Sequence, residues 1–246
     1  MKIFGLVGNS LSHSMSKKYF EDKFLKENLP DYYFKNFELT DINQLKELLA
    51  TTKNLCGLAV TIPYKQAVLP FLNFATKEVE TISACNCIKI TDNVLYGFNT
   101  DIIGFEKSFT SLLQPQHQKA LILGNGGAAK AVKYVLQKLA IPYLIVSRNK
   151  EKQYPSISYQ EINEQIVEEY KIIINTTPLG TFPAINNCAN IPYNLLNKTN
   201  YLYDLVYNPA VTKFLELGKQ QGALIKNGSD MLIIQAEENW KIWNQN

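Results

Sequence analysis

Gly124, Gly126 and Ala129 stand at the spacing G-x-G-x-x-A, inside the stretch ALILGNGGAAKA at 120–131. Residues of these types can hold a pyrophosphate. Gly124 allows a tight turn, Gly126 lets an anion approach bare backbone, and the small Ala129 lets a helix pack close to a strand. The positive end of the helix dipole then faces the anion. The flanks suit this chemistry. Ala120 to Leu123 reads as a buried strand, and Ala131, Val132, Val135, Leu136 and Leu139 recur at helical spacing. An isolated turn of this kind also serves as an ordinary strand-to-helix connection; the correct flanks favour a dinucleotide.

A second set of chemical groups lies earlier in the chain. Thr61 and Lys65 fall in VTIPYK at 60–65, at the carboxyl end of a short buried strand, Cys56 to Ile62. Ligands gather at the carboxyl ends of strands in open α/β sheets. Lys65 alone reads as a surface lysine; the polar cluster that follows singles it out. Residues 82–99 read as a hairpin turning at Asp92-Asn93. Asn86, Asn99 and Asp101 then either surround one cleft or serve turns, to which Asn and Asp are prone. Ser12, Ser14 and Ser16 bring three hydroxyls together after the first strand. They either cap the next helix or bind a polyhydroxylated or carboxylated ligand.

A third set concerns the nucleotide. Tyr143 to Val146 reads as a strand ending in Ser147-Arg148-Asn149-Lys150, with Lys152 beyond. An NAD site usually places an acidic residue here for the ribose 2′-hydroxyl. A guanidinium with neighbouring ammonium groups suits a 2′-phosphate instead, so these residues favour NADP. Thr176, after an apolar strand at 171–175, offers a hydroxyl to the nucleotide.

Positioning these groups takes an α/β chain. Its 246 residues allow two domains. The 25 basic and 22 acidic residues leave a net charge of +3, too balanced for nucleic acid binding. No apolar run reaches membrane-spanning length, and MKIFGLVGNS is too short in its apolar part for a signal peptide. Four cysteines without zinc-ligand spacing and two histidines predict a reducing cytoplasm and no metal, and disfavour a Ser-His-Asp hydrolase. Strands are expected at Lys2 to Val7, Tyr32 to Leu39 and Tyr201 to Val206. Residues 181–199 read as a mobile connection with a short helix. The last helix, Ser229 to Trp243, carries Leu232, Ile233, Ala236, Trp240 and Trp243 as its packed stripe, with Gln235 on another face.

Several blocks together resemble the shikimate dehydrogenase family: Ser14-x-Ser16, VTIPYK at 60–65, Asn86, GFNTDIIG at 97–104, LGNGGAAKA at 123–131, INTTPLG at 174–180, YDLVYNPAVTKFL at 203–215 and NGSDMLIIQA at 227–236. They span nearly the whole chain in the family's order. The resemblance implies an N-terminal α/β substrate-binding and catalytic domain, 1–101, rejoined by the helix at 229–246. A Rossmann-type NADP-binding domain, 102–228, would follow, with a cleft between the two. It implies reversible reduction of 3-dehydroshikimate to shikimate with NADPH, in aromatic amino acid biosynthesis. Lys65 and Asp101 would form the catalytic pair, and Ser14, Ser16, Thr61, Asn86, Asp101, Tyr207 and Gln235 would contact substrate. Gly124, Asn125, Gly126, Gly127, Ala128, Ser147, Arg148, Lys150, Thr176, Leu205 and Gly228 would contact NADP, the last two near the nicotinamide.

A carboxylate beside Lys65 favours the ammonium, so the pair reads as poised for reduction: Lys65 polarises and then protonates the keto oxygen while Asp101 orients it. The implied partner is the small-molecule substrate, with no nucleic acid or membrane, and the chain a monomer or homodimer. The alternatives are a quinate/shikimate dehydrogenase with broader substrate or NAD use, a non-catalytic NADP-binding regulator, and a folate-ring dehydrogenase of similar layout.

Overall fold

In the first half, strands and helices alternate. The computed structural model describes residues 1–12, 14–148 and 154–245, and divides the chain into two units, Met1–Asp101 with Gln235–Asn246, and Ile102–Ile234. In the first unit β1 (Lys2–Gly8), α1 (Ser16–Lys26), β2 (Tyr32–Glu38), α2 (Leu45–Thr51) and β3 (Leu55–Val60) are followed by a four-residue helix, α3 (Tyr64–Ala67). Then come β4 (Phe74–Ala75), α4 (Lys77–Ile82), and the hairpin β5 (Cys87–Thr91) and β6 (Val94–Phe98). The six strands form one sheet in the order β2-β1-β3-β5-β6-β4. β1 runs parallel to both β2 and β3, while β5 is antiparallel to β3 and β6. Chain order therefore reverses at β1, which opens a crevice at the carboxyl ends of β1 and β3. The segments carrying Ser14 and Ser16, at the start of α1, and Thr61 and Lys65, running into α3, leave from those ends.

Apolar side chains hold both faces of this sheet. Val7, Leu45, Leu58, Val68 and Ile88 form one core, and Phe4, Phe20, Phe24, Phe34 and Trp243 the other. The second core is aromatic: Phe20 stacks on Phe34 with ring centroids 4.6 Å apart, and Phe4 on Trp243 at 5.1 Å. Trp243 also donates its indole N–H to the carbonyl of Ile88 at 3.0 Å. Gly57 on β3 faces that indole, and a Cβ there would collide with it.

Helix α5 (Thr100–Thr110) starts at the end of the first unit and continues into the second. There β7 (Ala120–Leu123), α6 (Gly127–Lys138), β8 (Tyr143–Val146), β9 (Ser156–Ile157), α7 (Glu164–Glu169) and β10 (Ile172–Asn175) precede β11 (Tyr201–Asp204), α8 (Lys213–Gln220) and β12 (Leu224–Lys226). The sheet is parallel throughout, in the order β12-β11-β10-β7-β8-β9. Counted from β7, this is the dinucleotide-fold order 3-2-1-4-5-6, with its switch point between β7 and β10. Strands β7, β10 and β11 are buried along their whole length, as parallel strands covered on both faces must be. Helix α9 (Ser229–Asn244) begins in this unit and ends in the first, the division falling at Gln235 rather than at the helix start.

Three local expectations are corrected. Residues 181–199 carry the expected short helix as a 3-10 turn at Tyr193–Leu195, but the connection is anchored rather than loose: Ala189, Ile191 and Leu196 are buried in the second unit's core. The prolines and asparagines hid these few apolar anchors. Ile233 is 48% exposed rather than part of the packed stripe of α9. Neither Ser14 nor Ser16 is the cap of α1; Met15 holds that place without a side-chain bond, and the Ser14 hydroxyl instead accepts from the N–H of Ser16 at 3.2 Å.

Candidate active site

Lys65 and Asp101 lie 36 positions apart in sequence and meet in the first unit. Nζ of Lys65 donates to Oδ2 of Asp101 at 2.6 Å. Each is held by backbone. Pro63 stands at the N-terminal cap of α3 after a cis Ile62–Pro63 bond, and the Lys65 carbonyl accepts from the N–H of Cys85 at 2.7 Å. Asp101 sits in the first turn of α5, where the helix dipole favours a carboxylate. The side chains are 24% and 15% exposed, so the pair is sheltered yet open to a ligand. A single carboxylate paired with a single ammonium, both within reach of a bound oxygen, can hold and transfer one proton.

Asn86 completes this group. It is buried and donates from Nδ2 to Oδ1 of Asp101 at 2.9 Å and to the Thr100 hydroxyl at 3.0 Å. Its Oδ1 accepts the backbone N–H of Thr100 at 2.7 Å. Thr100 passes the chain on to Asn239 Oδ1 at 2.7 Å, and Asn239 Nδ2 donates to Gln235 Oε1 at 3.3 Å. Thus Lys65, Asp101, Asn86 and Gln235 are brought into one hydrogen-bonded set. Thr61 follows β3, half-buried, its N–H bonded to the Val7 carbonyl at 2.9 Å. Ser14 and Ser16 are half-buried after β1. Asn99 is used otherwise, donating to the Ala84 carbonyl at 2.9 Å. Thr100 and Asn239 were missed by the motif reading. Asn239 lies one helical turn after Gln235, at the i,i+4 spacing where side chains meet, and that was the available signal.

In the second unit a crevice of about 770 Å³ opens at the carboxyl ends of β7 and β10. Gly124, Asn125, Gly126, Ser147, Arg148 and Thr176 line it, with Tyr159, Gln160, the 177–179 turn and Cys188 to Asn190. Gly124 has φ +92°, and a Cβ there would stand 2.7 Å from the Thr177 methyl. Gly126 and Gly127 face open space at the start of the twelve-residue α6. Its first N–H groups are the donors a helix leaves without intrahelical partners. Lys133 reaches back from α6 to bond Asn125 Oδ1 at 2.8 Å. Thr176 donates to the Leu123 carbonyl at 2.8 Å, tying the two strand ends together. Arg148 is exposed at the rim. Ala128 stands in the first turn of α6; Lys150 lies outside the described residues.

Leu205 and Gly228 adjoin: the Gly228 N–H donates to the Val206 carbonyl at 3.2 Å, and a Cβ on Gly228 would run into the Leu205 carbonyl. Tyr207 is the third residue after β11, and burial pushes its phenol up, so it remains a hydroxyl donor at neutral pH. Asp204, at the end of β11, is buried. It accepts from Asn175 at 2.9 Å, from the Val206 N–H at 3.0 Å and from Thr212 at 2.6 Å. Burial nevertheless pushes its carboxyl up to about 6. Asn175 in turn accepts from Thr177 at 2.6 Å, so Asp204 steadies the turn lining the crevice. The residues present fit a dinucleotide: open glycine backbone, a helix N-terminus and a rim guanidinium meet in one crevice. Among the described residues no cluster of three His, Cys, Asp or Glu could hold a metal ion.

Fold and site together define a two-unit α/β oxidoreductase, one unit carrying a sheltered lysine–carboxylate pair and the other a dinucleotide fold. The chain belongs to the shikimate dehydrogenase family. Residues 6–88 match the model of the shikimate dehydrogenase substrate binding domain. Over 256 aligned residues the chain is 37% identical to the NADP(+) shikimate dehydrogenase of Clostridium beijerinckii, covering 100% of this chain and 93% of that one. The crystal structure of shikimate dehydrogenase from Aquifex aeolicus superposes with a TM-score of 0.87 at 29% identity, over 99% of this chain and 92% of that one. A shikimate dehydrogenase solved in complex with NADP+ superposes with a TM-score of 0.89 at 29% identity, over 99% and 90%.

Proposed function

We propose that the chain catalyses the reversible NADPH-dependent reduction of 3-dehydroshikimate to shikimate, with Lys65 and Asp101 as its proton-handling pair. The observation that carries this reading is the 2.6 Å contact between those side chains beside the carboxyl ends of β1 and β3. When bound, NADPH supplies a hydride to the carbonyl carbon. The Lys65 ammonium polarises the keto oxygen and then gives it a proton from Nζ; solvent restores that proton. Asp101 keeps the lysine aimed, and accepts a hydrogen bond from the substrate hydroxyl. In the oxidative direction the same groups run backwards.

Ser14, Ser16, Thr61 and Asn86 would hold the substrate's carboxylate and hydroxyls, joined by Tyr207 and Gln235. Gly124 to Ala128 and Thr176 would hold the pyrophosphate region, Ser147 and Arg148 the 2′-phosphate with Lys150, and Leu205 and Gly228 the nicotinamide. One chain carries every group, so a monomer or a homodimer serves equally well. Four free thiols support work in a reducing cytoplasm. Among the described residues no helix is long and apolar enough to cross a membrane.

Steady-state reduction of 3-dehydroshikimate with each cofactor tests the reading. Charge-assisted bonds to the 2′-phosphate predict kcat/KM for NADPH about tenfold or more above NADH. Oxidation assays with shikimate and quinate are expected to favour shikimate. Equal use of both cofactors, or faster turnover of quinate, would contradict the proposal.

A further inference from the structure

The chain of side chains behind Asp101 has a direction, and the direction is set by one group that cannot turn round. Side-chain amides can flip by exchanging oxygen and nitrogen; a backbone N–H cannot. The N–H of Thr100 donates to Asn86 Oδ1 at 2.7 Å, which makes that end of Asn86 the oxygen. Its nitrogen then faces Asp101 and the Thr100 hydroxyl. With its oxygen already receiving Asn86, Thr100 has one hydroxyl proton to give. Asn86 Oδ1 lies 3.2 Å away and also takes the Thr100 N–H; Asn239 Oδ1 lies closer, at 2.7 Å, and is the shorter bond. The proton goes to Asn239, which turns the Asn239 nitrogen toward Gln235 Oε1. Thr100 and Asn239 are 0% and 1% exposed, so water does not compete for these bonds.

We propose that Thr100 and Asn239 are positioning residues that fix the polarity of Gln235, committing its carbonyl inward so that it meets substrate as an N–H donor. The inference rests on the reading of Gln235 as a substrate contact. It assigns a specificity rule: the ligand atom at Gln235 must be an acceptor, as a ring hydroxyl oxygen is. A group that can only donate is rejected, because two donors would then face each other in a sheltered site. No contact between substrate and Asn239 is needed for this.

A double-mutant cycle on the full-length chain tests it. Asn239→Leu removes the bond that holds the Gln235 oxygen. The expected result is a rise of about tenfold in KM for shikimate, with kcat and its pH profile little changed. In a Gln235→Ala background the same substitution is expected to leave KM where it was, since the group it positions is gone. Thr100→Val, which removes the hydroxyl but not the backbone N–H, provides a second cycle should Asn239→Leu fold poorly. Equal effects with and without Gln235 would overturn the proposal, as would an unchanged KM in a folded variant.

One measurement is independent of turnover. In the ligand-free wild type, the Asn239 side-chain amide protons are expected to exchange slowly with solvent by NMR. Rapid exchange would overturn the inference whatever the activity. A wild type that fails to reduce 3-dehydroshikimate yet shows protected Asn239 protons would instead overturn the functional reading and leave the fixed polarity standing.

Discussion

At the residue scale, charge inside the two units is treated in opposite ways. Asp101 is compensated at once by the ammonium of Lys65 and the amide of Asn86. Asp204 has three hydrogen-bond donors but no cation among the partners described above, and burial outweighs those bonds. Its folded-state carboxyl titrates near 6, against 3.8 for the free group. The folded chain therefore holds a proton that the unfolded chain has lost between those values. Stability from this group is fully present below about 3.8, falls as pH rises toward 6, and is flat above. Two pH units correspond to about 3 kcal/mol. In Asp204→Asn the uncharged amide keeps one acceptor for Asn175 and Val206 and offers N–H groups to the Thr212 oxygen. The variant is expected to lose that decline, as read from urea unfolding at stepped pH. An identical pH dependence in both proteins would show that Asp204 is not the group responsible.

At the element scale, the last helix matters most to the first unit. Trp243 fills the aromatic core beneath β1 and β3, and Gly57 gives it room. Gly57→Ala places a methyl group against the indole and disturbs its bond to Ile88. Overpacking of this kind costs about 2 kcal/mol, so denaturant unfolding of the variant is expected at a correspondingly lower midpoint; an unmoved midpoint would mean that the indole has space to shift.

Elements of this kind were legible to different degrees. Strand β7, α6 and the hairpin β5–β6 could be read directly, because an uninterrupted apolar run, a 3.6-residue period and an Asp-Asn turn each leave a local mark. The buried segment around Ile191 left none; its anchors are single residues among prolines and asparagines. Thr100 and Asn239 were equally silent. Neither side chain bonds Lys65 or Asp101 in the network described above, and their role exists only once α5 and α9 bring them within 2.7 Å. Lys65 and Asp101 became a pair in the sequence only through the family's motifs, since a separation of 36 positions carries no periodic signal.

At the scale of the whole molecule, the chain uses the same topological device twice. Strand order reverses at β1 in one sheet and at β7 in the other, and each reversal opens the carboxyl ends of neighbouring strands. The first reversal gathers hydroxyls, amides and the lysine–aspartate pair. The second gathers glycine backbone, a helix N-terminus and Arg148. On the proposed function, proton chemistry would belong to one unit and cofactor binding to the other. Loss of the lysine should therefore stop the reaction without weakening NADPH.

The most direct measurement is the rate at which Lys65→Met turns over saturating 3-dehydroshikimate across pH, with NADPH affinity measured alongside by fluorescence titration. A general acid contributes roughly 10²–10⁴-fold. The account predicts a loss of that order, a flattened pH profile and unchanged NADPH binding. A variant that reduces the ketone within a few-fold of wild type, on the wild-type pH profile, would contradict it.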